Sequence, residues 1–142
     1  MADRYEVTPA KRAVSWMLAQ AARIGLGNFV VLTTTGRRSG EPRRVTLAPI
    51  EDGEGEYLVS PYGESAWVLN LRADPNARIE RGRRSESVRL VEITGKKPEI
   101  VKRYHDREAF ARRFMEVPGS GDVEGFASVP ERFPVFEVVR TT

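Results

Sequence analysis

Between Ala10 and Leu26 the apolar residues Val14, Met17, Leu18, Ala21 and Ile24 recur at helical spacing and predict an amphipathic helix. Thr8 and Pro9 supply an N-cap and a first-turn proline, and Gly25 or Gly27 a stop. From Asn28 the period changes. Phe29 to Thr35 is a β-branched run that predicts a buried strand, Arg43 to Ile50 a second and Glu56 to Ser60 a third, with short turns between them. This much predicts an antiparallel meander. Pro61 to Glu64 breaks the sheet, and Ser65 is placed to cap a short helix, Ala66 to Ala73, that Asp74-Pro75 ends. Ala77 to Glu80 and Ser85 to Thr94 predict two more strands around the turn Arg81-Gly82-Arg83-Arg84. Gly95-Lys96-Lys97-Pro98 then opens helical material to about Met115, with a break near His105-Asp106. Val117 to Pro130, rich in glycine and proline, predicts a long loop, and Pro134 to Val139 a last strand.

About six strands in near-sequential order, with a few short helices, predict a mainly β (α+β) chain whose antiparallel sheet closes or half-closes into a barrel. One domain is expected over 1–142, a helix within 1–27 and the barrel with helical insertions over 28–142. The first helix packs on the body in the plainer reading; a lid or a membrane-surface helix is the alternative.

Composition narrows the function. At 40% hydrophobic and 30% charged, the chain is ordinary for a globular protein. No stretch reaches the roughly 18 uncharged apolar residues of a membrane span. Asp3, Arg4 and Glu6 make a secretory leader unexpected. With no cysteine there is no disulfide framework, thiolate nucleophile or Cys-based metal site, and a cytoplasmic setting is expected. His105 stands alone, and reads as a solvated or capping imidazole; no Gly-x-Ser-x-Gly elbow accompanies it, and no metal site is expected. Carboxylates are scattered over polar faces. If the chain is an enzyme, a bound group must supply the reactivity.

The strongest local feature is Thr33 to Arg44. Gly36 and Gly40 permit positive φ, so that neighbouring amides can converge on an anion. Arg37, Arg38, Arg43 and Arg44 set four cations against Glu41, and Ser39 adds a hydroxyl. Crowded guanidinium groups repel unless an anion sits among them, and arginine pairs with phosphate in a bidentate fork. A solvated hairpin is the alternative. Pro61-Tyr62-Gly63-Glu64-Ser65 leads into a helix N-terminus that favours polar or anionic ligands. Trp67 is either a wall for a planar ring or a core residue, and Asn70 either holds a ligand or caps neighbouring backbone. Gly119 to Gly125 has the wrong spacing for a dinucleotide fingerprint, and Arg81 to Arg84 reads as a solvated turn. With a net charge of only +3, nucleic acid is not an expected partner.

The hairpin, followed by Pro61-Tyr62-Gly63-Glu64-Ser65-Ala66-Trp67-Val68-Leu69-Asn70-Leu71-Arg72, resembles the deazaflavin (F420)-dependent nitroreductase family of actinobacteria. The likeness covers roughly Phe29 to Leu90. It implies a split β-barrel of the FMN-binding type and hydride transfer from reduced F420 to an electron-poor double bond, quinone or nitro compound. It also implies that Arg37, Arg38, Ser39, Gly40, Pro42 and Arg43 hold the cofactor's phosphate and carboxylate tail, with Arg44 an added neighbour. Thr46, Leu47 and Ala48 and the loop of Ser60, Pro61, Tyr62 and Gly63 are then expected to line the deazaflavin ring, with Asn70 and Trp67 near it. No catalytic residue is fixed; Ser60 and Tyr62 are candidates for proton delivery. Tyr62 departs from the family, where many members have lysine. Relatives that reduce bulky nitro compounds carry tyrosines late in the chain, where this sequence offers Phe126 and Phe133. FMN on the same barrel and a non-catalytic F420 or lipid carrier are the alternatives. A small-molecule substrate is implied, a homodimer is an open expectation, and membrane-surface association is open but not indicated.

Overall fold

In the computed structural model, residues 28–108, 115 and 122–140 are described. The helix predicted between Ala10 and Leu26 lies outside them. The described residues hold strands β1 (Val30–Thr35), β2 (Pro42–Leu47), β3 (Ile50–Glu51) and β4 (Glu56–Val59), then helix α1 (Ala66–Ala73). Strands β5 (Asn76–Arg81) and β6 (Arg84–Glu92), helices α2 (Lys97–Arg107) and α3 (Val123–Ala127), and strand β7 (Val135–Arg140) follow. One seven-stranded sheet runs β2-β1-β5-β6-β7-β4-β3, antiparallel throughout.

The pattern predicts one strand over Arg43 to Ile50 continuing the meander. The structure divides it: β2 and β3 sit at opposite ends of the sheet, joined only by Ala48 and Pro49. Leu47 and Ile50 are therefore at most about 11 Å apart. Laid flat, the outermost of seven strands would be about 29 Å apart. The sheet must curl until its edges nearly meet. No ladder joins β2 to β3, so the barrel stays split. At the seam the Pro49 carbonyl accepts from Asn28 Nδ2 at 3.1 Å and Arg107 Nη2 at 2.6 Å.

Alternation along the strands makes two cores. Val30, Leu32, Leu58, Ile79, Val88, Leu90, Phe136 and Val138 point inward and pack with Trp67, Val68 and Leu71 of α1, which fills the barrel. On the outer face, Ile50, Tyr57, Val59 and Val135 are covered by Ile100, Val101 and Tyr104 of α2 with Met115, Phe126 and Phe133. Arg72 braces α1 through Glu64 and, at 2.8 Å, Glu92. Glu92 holds the guanidinium's pKa above its ordinary value, and Arg72 holds the Glu92 carboxyl below its own.

The sequence predicts a loop from Val117 to Pro130, but Asp122 accepts from the Gly125 amide at 2.8 Å and starts the five-residue helix α3. The helix α2 ends at Arg107, close to the break expected near His105-Asp106; the helical material predicted beyond it, residues 109–114, lies outside the described residues.

Inside one mouth of the barrel the Glu56 carboxylate, 4% exposed, lies between Arg81 and Arg140. Arg140 reaches on to Glu86 at 3.1 Å. The network links β4, β5, β6 and β7. Glu56→Gln should lower unfolding free energy by about 1–2 kcal/mol, a figure reduced because both arginines are well exposed. Urea denaturation would report this as a lower midpoint with unchanged slope; an unmoved midpoint would show that the network adds nothing to stability.

Candidate functional site

Strands β1 and β2 pair from Val30↔Leu47 to Thr35↔Pro42, and the tip between them carries the arginine motif. Gly36 donates its amide to the Glu41 carbonyl, and Gly40 donates its own to the Gly36 carbonyl, each at 2.8 Å. The two glycines serve different purposes. Gly40 has φ of 72°, which a side chain resists. Gly36, which could also take a positive φ, does not. A Cβ at Gly36 would lie 2.8 Å from Ser39 Oγ and 3.0 Å from the Glu41 carbonyl, so space dictates the residue there.

The base of the tip is tied to α1. Asn70, 3% exposed, accepts through Oδ1 from the Arg37 backbone amide at 3.1 Å and from Arg37 Nη1 at 2.9 Å. Its Nδ2 donates to Thr34 Oγ1 at 3.2 Å. Of the two readings of Asn70, these contacts match the one in which it caps backbone, and they make it a positioning residue for the hairpin. The sequence pattern assigns Thr34 no role of its own within the motif. The signal it carries is a polar residue at an inward position, in step with Val30 and Leu32.

Ser39 Oγ accepts from the Glu41 amide at 3.1 Å and from Arg43 Nη2 at 3.4 Å. Arg43 stands opposite Thr34, on the inward face. Arg44 stands opposite Thr33 and so belongs to the outer face. The structure thus brings Ser39 and Arg43 together beside Gly36 and ties Arg37 to Asn70; Arg37, Ser39 and Arg43 are exposed at the tip with Arg38 and Gly40, and Arg44 turns to the outer face. Among the described residues none of Arg37, Arg38, Arg43 and Arg44 has a carboxylate partner; Arg72, Arg81, Lys96, Lys102, Arg107 and Arg140 do, while Arg78, Arg83, Arg84, Arg89, Arg103 and Arg132, dispersed over other elements, do not.

The expected ring-lining residues divide as well. Thr46 is half-buried on the outer face, Leu47 packs against the barrel core, and Ala48 is buried at the seam. Alternation keeps Leu47 from sharing a surface with its neighbours. Ser60 is fully buried; its hydroxyl donates to the Gly63 carbonyl and lies 2.8 Å from Ser65 Oγ. Ser65 occupies the N-cap of α1 but makes no side-chain cap bond, because its hydroxyl turns to Ser60. Pro61 is buried, while Tyr62 and Gly63 are half-buried, Gly63 with φ of 82°. Trp67 is 7% exposed and stacks at a tilt on Phe136, 5.7 Å between centroids, so it is core rather than a wall for a ring. His105 lies 3.1 Å from Asp106 and edge-on to Phe126.

A curled antiparallel sheet plugged by one helix, with a cationic hairpin at its rim, defines the FMN-binding-like split barrel. Solved structures share this fold at TM-scores just above one half. An F420-H2 dependent reductase (FDR-A) aligns at TM-score 0.55 and 22% identity, over 78% of this chain and 93% of its own. A domain-swapped dimer aligns at 0.55 and 21% identity, over 91% and 96%. A putative pyridoxamine 5'-phosphate oxidase from Listeria innocua aligns at 0.53 and 16% identity, over 82% and 86%. Residues 8–114, most of the sequence, match the family model of the F420H(2)-dependent quinone reductases, and the chain belongs to that family. It is thus an oxidoreductase, and its family chemistry is reduction by F420H2.

Two outcomes test the hairpin's construction. Gly36→Ala should destabilise more than Gly40→Ala, which should cost about 1 kcal/mol from the left-handed torsion alone; equal melting temperatures would contradict the packing argument. Asn70→Ala should cost about 1–3 kcal/mol by stranding the Arg37 amide. Faster hydrogen exchange at the hairpin tip, with the barrel strands unchanged, is its expected signature.

Proposed function

We propose that this protein uses the β1–β2 hairpin to hold the acidic tail of F420H2 and reduces a small electron-poor acceptor, a quinone, an enone or a nitro compound. The observation that carries this reading is four guanidinium groups on one hairpin with no carboxylate partner among the described residues. Such a concentration of charge suits an anion carrying several negative groups.

In this reading Arg37, Arg43 and Ser39 form one side of the tail clamp, with Arg38 and Gly40 at its open end and Pro42 fixing the start of β2. Arg44 would meet the ligand only where it passes round the hairpin edge. Thr46 and Ala48 and the loop of Ser60 to Gly63 border the ring, the loop through Tyr62 and Gly63 since Ser60 and Pro61 are buried. The residues fit the group at the tail by charge. When bound, F420H2 supplies a hydride from C5 of its ring. The chain's own work is to fix position and exclude water. Of the two proton-delivery candidates, Ser60 is committed to Gly63 and Ser65, so Tyr62 or solvent is the proposed donor. A homodimer is proposed by analogy with the domain-swapped neighbour, and a cytoplasmic setting fits the absence of cysteine. No observation favours FMN or a purely carrying role.

Fluorescence titration with F420 and, separately, FMN tests the reading, followed by F420H2 oxidation with a panel of quinones, enones and nitroarenes. Arg43→Ala should weaken F420 binding by about 1.5–3 kcal/mol, the range for a hydrogen bond to a charged group. Unchanged affinity in a folded variant would place the anion elsewhere; tighter binding of FMN than of F420 would reject the cofactor assignment.

A further inference from the structure

Two adjacent lysines open α2 and meet opposite surroundings. Lys96 keeps its ammonium between Asp52 at 2.9 Å and Glu54 at 2.7 Å. Lys102, further along the helix, pairs with Asp106. Lys97 is 8% exposed, donates to the Pro130 carbonyl, and has no carboxylate within ion-pairing distance among the described residues. A protonated amine there has three donors and one acceptor. It also lies in the first turn of an 11-residue helix, where the macrodipole opposes a cation. Burial pushes its pKa down, and Arg72 of α1 adds to that; Glu92 of β6 and Glu131 before β7 act the other way and are outweighed. Nothing in the F420 reading uses this residue.

Lys97 lines a cavity of about 60 Å³ between α2, α3 and the segment before β7. Val101, Phe126, Val129 and Phe133 supply apolar walls, and the exposed Thr94 and Pro130 stand at its rim. This volume suits an organic molecule of only a few heavy atoms. An amine of this kind, desolvated in an apolar site, is the arrangement that makes lysine a nucleophile toward carbonyl carbon.

We propose that Lys97 captures small apolar aldehydes in this cavity as imines. The neutral Nζ adds its lone pair to the aldehyde carbon, and the C=O π pair moves to oxygen, which takes up a proton. The carbinolamine nitrogen then gives up its proton as the hydroxyl leaves as water and the C=N bond forms. Nothing is oxidised or reduced, and the short alkyl group lies against the two phenylalanines.

The test is reductive trapping on the full-length protein near neutral pH with butanal and cyanoborohydride, followed by peptide mass spectrometry. Butylation at Lys97 is expected at least about tenfold faster than at Lys96 or Lys102. Glyoxylate, a small aldehyde bearing a charge, should label Lys97 more slowly than butanal does, and Lys97→Met should abolish the fast phase alone. A rate at Lys97 no greater than at Lys102, or glyoxylate matching butanal, would overturn the proposal and leave the lysine as a brace on Pro130. Should Lys97→Met not fold, the wild-type pH profile serves instead. Labelling at Lys97 must level off at lower pH than at Lys102, and coincident profiles would refute it.

Discussion

Ala48 and Pro49 carry the chain from one edge of the sheet to the other, and much else follows from how short that crossing is. With so little chain, the strands curl until their inward side chains enclose a space that α1 fills with Trp67, Val68 and Leu71. The curl turns the opposite face of β3, β4 and β7 outward, where α2 and α3 bury a second set of apolar residues. Proline suits the crossing because it offers no amide to a ladder that is not there. Its carbonyl is taken by side chains from Asn28 and Arg107.

The cationic hairpin depends on this enclosure. Asn70 reaches Arg37 and Thr34 only because α1 is held inside the barrel, with Arg72 braced by Glu64 and Glu92. A buried amide thus fixes the base of a loop whose charges repel one another. At the other mouth, Glu56 places two arginines from different strands on one carboxylate. The same residue type serves stability at one end and, in our reading, ligand capture at the other; what sets the second group apart is four such residues on one hairpin with no carboxylate partner among the described residues.

Much of the fold was legible because it is written in local pattern. The helix Ala66–Ala73 agrees with its predicted limits, and each predicted strand after Asn28 has a counterpart. Misreadings occurred where a distant contact or a single cap decided the outcome. The run Arg43 to Ile50 has continuous strand character, and only the order of the whole sheet reveals that it breaks at Pro49. The helix α3 rests on Asp122 within a stretch whose glycine and proline content signals loop. At the site, composition located the arginine cluster, but facing was invisible until the register was known. Register separates Arg43 from Arg44 and Leu47 from Thr46, and packing assigns Trp67 to the core.

The pairing Thr34↔Arg43 has an implication for how this hairpin can vary. Adjacent residues in a strand emerge on opposite surfaces, so displacing β2 by one position against β1 would exchange Arg43 with its neighbour and bring Thr46 into the barrel in place of Leu47. The bonds from Gly36 to Glu41 and from Gly40 to Gly36 guard against that displacement. Strand register in this protein is therefore a chemical parameter as much as a structural one. A register slip of a single residue would change the side of the sheet from which Arg43 emerges, with every arginine still in the sequence.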